Sequence, residues 1–380
     1  MPETADVVIA GGGPVGSALA VALRDSGLNI VVLEARTADS ADARPLALSY
    51  GSRLILERLG AWSALEATAT PIRHIHVSQR GGFGRVGLDA AEAGLPHLGY
   101  VVDYRRLALA LAAQPASGSS RGGARVTAWR GGDRGWLEYE FAGERRQLEA
   151  PLIVIADGGD ASQQPDTRTA DYHQCAVTAR VVSERPHNNI AYERFTPHGP
   201  LALLPDGNGW ALVWTTTPER APLLCAAEDE EFLRQLHAEF GSRVGAFTAV
   251  GARREYPLRL RRSPQTPADH IVLIGNAAQT LHPVAGQGFN LGLRDAWELA
   301  GQITGRHAAE SGTREWLDAY ETRRRLDRGA GIGFTHTLVQ IFSNDLPPLR
   351  MARGTGLALL GCVPPLKNLL IRRMTFGARG

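Results

Sequence analysis

Near the N-terminus, Gly11-Gly12-Gly13-Pro14-Val15-Gly16 sets glycines at the spacing G-x-G-x-x-G. The apolar run 6–10 before them reads as a buried strand, and 14–26 after them as a helix. At such a junction Gly11 permits the tight turn, Gly13 lets a pyrophosphate approach the backbone, and Gly16 lets the helix pack on the strand. The unpaired N–H groups and positive dipole end of the helix face the same anion. Glu34 closes the next apolar run, 29–34, where a carboxylate accepts hydrogen bonds from ribose hydroxyls. A carboxylate there disfavours a 2′-phosphate, so the indicated ligand is FAD or NAD rather than NADP. The bare alternative is a glycine-rich turn with a solvated glutamate.

A second constellation separates those two ligands. Ile274-Gly275-Asn276-Ala277-Ala278-Gln279-Thr280-Leu281-His282-Pro283 reads as a strand ending in a small-residue turn. It runs on into Val284-Ala285-Gly286-Gln287-Gly288-Phe289-Asn290, a glycine-rich loop that enters a helix. Backbone N–H groups and a helix dipole then meet something electron-rich, which a simple dehydrogenase does not need. Gly275, Asn276, Gly286, Gln287, Gly288 and Asn290 are therefore candidate cofactor contacts, and FAD is favoured. His282 and Pro283 are candidates for catalysis, with a structural histidine as the alternative. Tyr192, Arg194 and Phe195 lie on a strand that could face a substrate, and Tyr192 is the third catalytic candidate. Half-buried sheet residues look the same from sequence.

These residues need a scaffold. Strand, glycine turn, helix and strand within the first 34 residues make a βαβ unit, the start of a parallel sheet. Helices are expected over 50–59 and 104–113, a flexible loop over 115–123 and a small β-meander over 124–149. The run 152–156 is another buried strand ending at Asp157-Gly158. From 171 to 262 the pattern is strand-like and punctuated by proline, with a helix near 229–240. The expected architecture is α/β, a Rossmann-like nucleotide-binding domain with an inserted antiparallel-sheet substrate domain and a C-terminal helical segment. The first comprises 1–72, 98–165 and 263–345, the second 73–97 and 166–262, and the segment 346–380.

Composition narrows the partners. Of 380 residues, 44% are hydrophobic and 21% charged, ordinary for a globular enzyme. A net charge of +2 gives no footing for nucleic acid. Lys367 is the only lysine, so arginine carries the positive charge. Cys175, Cys225 and Cys362 are far apart and in no metal-ligand spacing, as expected of inert thiols in a reducing cytoplasm. The acidic start, 1–6, is unlike a signal peptide, and no apolar run reaches the roughly 20 residues that span a bilayer.

The two glycine motifs, with Phe195-Thr-Pro-His-Gly-Pro-Leu-Ala-Leu-Leu-Pro205, Tyr256-Pro-Leu and Tyr320-Glu-Thr-Arg-Arg-Arg, carry a resemblance over nearly the whole chain. The sequence resembles the FAD-dependent aromatic-ring hydroxylases of the p-hydroxybenzoate hydroxylase fold, in their ubiquinone-biosynthesis branch. The resemblance implies that Gly11, Gly13, Gly16 and Glu34 hold the ADP half of FAD and that the second motif covers the ribityl chain and isoalloxazine. Asn276 stands where the wider superfamily has Asp, and an amide can still bond ribitol hydroxyls. Arg44 matches an arginine beside the flavin and pyrophosphate, an exposed loop arginine being the alternative. Asp157 matches an acidic residue near FAD, a strand-to-turn cap being the alternative. The serine after it, Ser162, comes one residue later than in the family.

The implied reaction is NAD(P)H reduction of FAD, then transfer of oxygen from O2 to a phenol ring through a flavin C4a-hydroperoxide. The implied substrate is a polyprenylated phenol. Two readings compete: a flavin-dependent polyprenyl reductase of the same fold, and a non-catalytic FAD-retaining subunit of a quinone-biosynthesis complex. The segment 346–380 has no acidic residue and interleaves arginines with leucines. It is expected either to dock on a membrane's inner face or on other ubiquinone-biosynthesis proteins, or to pack on the body with its arginines solvated.

Overall fold

The run Val7–Ala10 is buried at every position, as a strand covered on both faces must be. In the computed structural model it is central to a five-stranded parallel sheet ordered Ile271–Leu273, Leu152–Ile155, Val7–Ala10, Ile30–Glu34, Ser119–Gly122. The structure describes residues 2–36, 44–159, 167–282, 286–305, 310–342 and 347–378, the side chains of 339 and 347–350 excepted. Helices Pro14–Ala22, Tyr104–Ala112 and Gln287–Ile303 pack on one face through Leu19, Leu107 and Leu293. On the other lies the meander Arg125–Arg130, Gly135–Phe141, Glu144–Ala150, which buries Leu137, Tyr139 and Leu148 against Val8, Val31 and Ile153. Three layers result, and the carboxyl ends of the parallel strands present both glycine motifs on one side.

One local expectation fails. Within 115–123, expected to be a flexible loop, Ser119–Gly122 forms the edge strand beside Ile30–Glu34. Main-chain pairing decides it, because the side chains Ser-Ser-Arg-Gly offer little strand preference. Gly118 makes the entry, at φ +85°, where a Cβ would lie 1.7 Å from the Ile30 carbonyl oxygen.

The second body is a nine-stranded sheet built on the sixteen-residue strand Arg168–Ser183. The hairpin His74–Gln79 and Arg85–Asp89 joins it, parallel to Ile190–Thr196 through the first strand. Helices Arg220–Ala226 and Asp229–Phe240 cover one face, around Trp210, Trp214 and Phe232. The opposite face turns toward the nucleotide fold and the C-terminal helices, where Val86, Leu88, Phe195, Phe342, Leu357 and Ile371 cluster.

Helix Arg314–Phe342 runs 29 residues, followed by Pro347–Cys362 and Pro364–Phe376. The last two meet at a 97° bend, and no single described helix is long and apolar enough to cross a membrane. Glycine allows their close seating. A Cβ on Gly84 would come 2.2 Å from the Gly354 carbonyl oxygen, and one on Gly51 2.5 Å from that of Thr375.

Candidate active site

The N-terminal glycines divide by role. Gly11 has φ +115°, and a Cβ there would lie 2.5 Å from the Ala156 backbone. On Gly16 it would lie 1.9 Å from the Gly11 carbonyl oxygen, so both positions are closed by the fold itself. Gly13 differs: a Cβ would meet only an Arg36 guanidinium nitrogen, at 3.7 Å. Gly13 caps the helix Pro14–Ala22 with no side-chain hydrogen bond and no acidic residue in the first turn, leaving its first N–H groups for an anion. Glu34 Oε1 accepts from the Arg36 backbone N–H at 2.8 Å and its Nε at 3.4 Å. Arg36 and Arg44 line the same cavity as Gly13, and the Arg44 guanidinium lies 4.7 Å from the Tyr104 ring centroid. Two cations and a row of free N–H groups fit a pyrophosphate.

Asp157 Oδ1 accepts from the Gly159 backbone N–H at 2.8 Å, and a Cβ on Gly11 would meet its backbone nitrogen at 2.6 Å. This places it at the turn that seats the glycine loop. Ala156 and Gly158 beside it line the cavity.

The second motif is fixed from beneath. Gly275, at φ +61°, packs on Val15, and a Cβ on Gly292 would come 3.0 Å from the Gly275 Cα. Its N–H donates to Asp295 Oδ2 at 3.2 Å, and Gln279 Nε2 donates to the same oxygen at 2.8 Å. Asp295 Oδ1 accepts from Arg324 Nε at 2.8 Å. Burial opposes the charge on Arg324, yet Asp295, Tyr320 and Asp327 outweigh it and hold the guanidinium above its ordinary range. Arg328 donates to Gln279 Oε1 at 2.6 Å and to Gln265 Oε1 at 3.0 Å.

Asn290 also acts through the backbone. Its Oδ1 accepts from Ser49 N at 2.8 Å and Ser52 Oγ at 2.7 Å, while Nδ2 donates to the carbonyls of Ala47 (3.0 Å) and Gly286 (2.6 Å). It ties the loop to the strand Pro45–Ser49, and Gln287 is buried beside it. Gly286 has φ +59°, and nothing lies within 4 Å of a Cβ on Gly288. Asn276, Gly286 and Gly288 line the cavity, and Asn276 is exposed into it. Open glycines over a helix N-terminus, with an amide beside them, fit the flavin half of FAD. Pro283 lies outside the described residues.

One cavity of about 650 Å³ joins these motifs to an apolar chamber reaching Phe342, Leu357, Leu360, Leu370 and Met374. His282, fully buried, forms part of its wall beside Thr280 and Leu281. Burial pushes its imidazole down to about 4, and the Tyr172 ring meets it edge-on at 5.4 Å. The ring of Tyr192 packs against Trp210 and Phe240, at 5.6 and 5.5 Å, on the helix-covered side of its strand. Arg194 Nε donates to the Glu239 carbonyl at 3.0 Å on the same side. Ala191, Glu193 and Phe195 of that strand line the cavity, and Tyr192 is also among its lining residues. Sequence reading passed over Glu193, Arg36 and the Asp295–Arg324 pair. Strand alternation would have separated Phe195 from Tyr192 and paired it with Glu193.

A dinucleotide fold that brings its glycine turn and a second glycine loop to one cavity, with an apolar chamber beyond, is the arrangement of an FAD-binding flavoprotein. Its relatives narrow this further. A family profile described as the FAD binding domain matches residues 4–330. The chain is 36% identical over 386 residues to ubiquinone hydroxylase UbiL of Rhodospirillum rubrum, covering 97% of this chain and 89% of that protein. It is 33% identical to 3-demethoxyubiquinol 3-hydroxylase of Escherichia coli, over 93% of this chain and 94% of that one. In fold alone it matches p-nitrophenol 4-monooxygenase PnpA from Pseudomonas putida, at a TM-score of 0.77 and 18% identity over 100% of both chains. The chain belongs to the FAD-binding-domain family, in its ubiquinone-biosynthesis hydroxylase branch, and is an FAD-dependent monooxygenase.

Proposed function

We propose that this enzyme hydroxylates the aromatic ring of a polyprenylated phenol on the route to ubiquinone, in the manner of the 2-octaprenyl-6-methoxyphenol hydroxylases its sequence resembles. The observation that carries this reading is the continuity of the cavity from Gly13 and Gly286 to Leu357 and Leu370. When bound and reduced by NAD(P)H, FAD would supply the activation of O2, one atom of which would enter the ring while the other leaves as water. Gly11, Gly13, Gly16 and Glu34 hold its ADP half, with Arg36 and Arg44 offsetting phosphate charge. Gly275, Asn276, Gly286 and Gly288 receive the flavin half, and Asp157, Gln287 and Asn290 fix the loops around it. Burial keeps His282 neutral at neutral pH, so it can take part in a hydrogen bond at the cavity wall without becoming charged. We assign FAD binding to 1–72, 98–165 and 263–345, and the substrate wall to 73–97 and 166–262.

We further infer that the partner at the tail end of the cavity is a membrane surface. Met351, Leu359, Leu366 and Leu369 are exposed on the two C-terminal helices, and Val363 at the break between them; the helices' other sides line the cavity at Leu357, Leu360 and Leu370. Arg372 and Arg373 are exposed beside them, and no acidic residue follows Asp345. An apolar, cationic face at the tail end of the cavity fits an anionic lipid surface that holds the substrate.

The activity is tested with the holoenzyme in an oxygen electrode, with NAD(P)H and a prenylated phenol. The expected result is phenol-stimulated O2 uptake with a product one oxygen atom heavier. Oxidation of NAD(P)H without O2 uptake would move the assignment to a reductase.

A further inference from the structure

The strand Ile190–Thr196 lies between Gly199–Asp206 and His74–Gln79, and its side chains alternate between the two faces of the large sheet. Glu193 is on the cavity face. Its register partners are Ala202 on one side and Val77 on the other, with Val213 beyond Ala202 and Val86 beyond Val77. A carboxyl group therefore stands in a row of apolar side chains. The row's own chemistry offers it nothing.

Glu193 Oε1 is sealed from bulk solvent and has no hydrogen-bond partner. The residue as a whole is half-buried and lines the cavity. Leaving a buried polar group unpaired costs about 1–3 kcal/mol, more for a charged one. Among the described residues, Glu193 is the only acidic side chain lining the cavity. Burial pushes its carboxyl up to about 8, so at neutral pH it is mostly protonated and can donate as well as accept. The adjacent cavity-facing row, Ala191, Ile75 and Leu88, is apolar and leads to the cluster around Leu357 and Ile371. One polar point thus stands at the head of an apolar run.

Resting on the reading that this cavity takes a prenylated phenol, we propose that Glu193 is the residue that holds the ring hydroxyl. The hydroxyl supplies the partner that the carboxyl lacks within the protein, and the prenyl chain then lies along Ile75 and Leu88 toward the C-terminal helices. Glu193 becomes a substrate-contacting residue that fixes the ring's orientation. Its discrimination is for oxygen on the ring, not for chain length. No electron or group transfer is asked of it.

The test is equilibrium binding to oxidised holoenzyme, read as perturbation of the flavin absorbance, using 2-prenylphenol and its hydroxyl-free counterpart prenylbenzene. Wild type is expected to bind the phenol about tenfold more tightly, the worth of one good buried hydrogen bond. In Glu193→Leu that preference is expected to fall within twofold, with prenylbenzene bound at least as well as by wild type. Glu193→Val is the second variant, because valine already fills neighbouring positions of the row, and flavin content checks that each variant is folded. A preference that survives in either folded variant overturns the assignment while leaving the substrate class intact. If neither probe perturbs the wild-type flavin, the prenylated-phenol reading itself falls, and this inference with it.

Discussion

Asp295 grips Arg324 with one carboxylate oxygen and the backbone N–H of Gly275 with the other, at 2.8 and 3.2 Å. The pair is almost wholly buried, and it fixes the flavin-side turn to a helix, Arg314–Phe342, that starts beyond the motif. Arg324→Met leaves the Asp295 charge buried without its partner. Breaking a buried pair from one side costs about 3–5 kcal/mol. We expect a clear fall in melting temperature and loss of FAD on gel filtration, read by the ratio of flavin to protein absorbance. Unchanged melting with full flavin content would detach the pair from the turn.

Two glycines two residues apart in the same turn should fail differently. Gly13 has room for a side chain in the protein alone, since only an Arg36 nitrogen lies within 4 Å of a Cβ. Gly13→Val is expected to remain folded by circular dichroism and to be isolated colourless, because the added methyls take the space the pyrophosphate needs. Gly11→Ala is expected to destabilise the fold itself, given φ +115° and a 2.5 Å approach to Ala156. A yellow Gly13→Val protein with full flavin occupancy would refute the pyrophosphate assignment.

The glycine turns were legible because Gly11, Gly16, Gly275 and Gly286 answer local backbone demands, a positive φ or a close approach, so their spacing places each turn at a strand end or helix start. The parallel core was legible in the same way, from apolar runs such as 7–10 and 152–155. Asp295 and Arg324 were not, since a buried ion pair joins residues 29 apart and nothing local marks either as buried. Arginine is so abundant here that Arg36, Arg324 and Arg328 look like solvated surface charges until the packing is known. Ser119–Gly122 escaped because its pairing is main-chain only. Glu193 was hidden by its neighbours: reading Tyr192, Arg194 and Phe195 as one group overlooked the two-residue alternation that puts Phe195 on the other face.

Buried His282 makes stability fall in acid. Its folded value is depressed to about 4 from an ordinary 6.5, so between those limits the unfolded chain binds the extra proton. Stability is therefore retained above pH 6.5 and lost as pH falls toward 4, by about 3 kcal/mol in all. His282→Gln cannot titrate. We expect urea midpoints of the holoenzyme and of this variant to separate across that window, with wild type falling more steeply. Parallel profiles would mean that His282 is solvated.

The C-terminal helices supply the sharpest test of how a lipid reaches the cavity. Lys367 and Arg353 are occupied within the fold, Lys367 by Glu92 and Arg353 by the Ile341 carbonyl at 2.7 Å. Arg372 and Arg373 are exposed, on the helix whose Leu366 and Leu369 are also exposed. Each cation near an anionic leaflet contributes about 1 kcal/mol, so reversing two charges changes the attraction by about 4 kcal/mol, and salt screens it. Arg372→Glu with Arg373→Glu is therefore expected to abolish flotation with liposomes containing anionic lipid at low salt. FAD content and turnover of a short-chain soluble phenol should stay as in wild type, since neither arginine lines the cavity. Wild-type flotation should itself decline with added salt, and Leu366→Ser with Leu369→Ser should weaken it without that salt dependence changing. Flotation unaffected by charge reversal would sink the membrane assignment and leave a protein partner as the face's occupant.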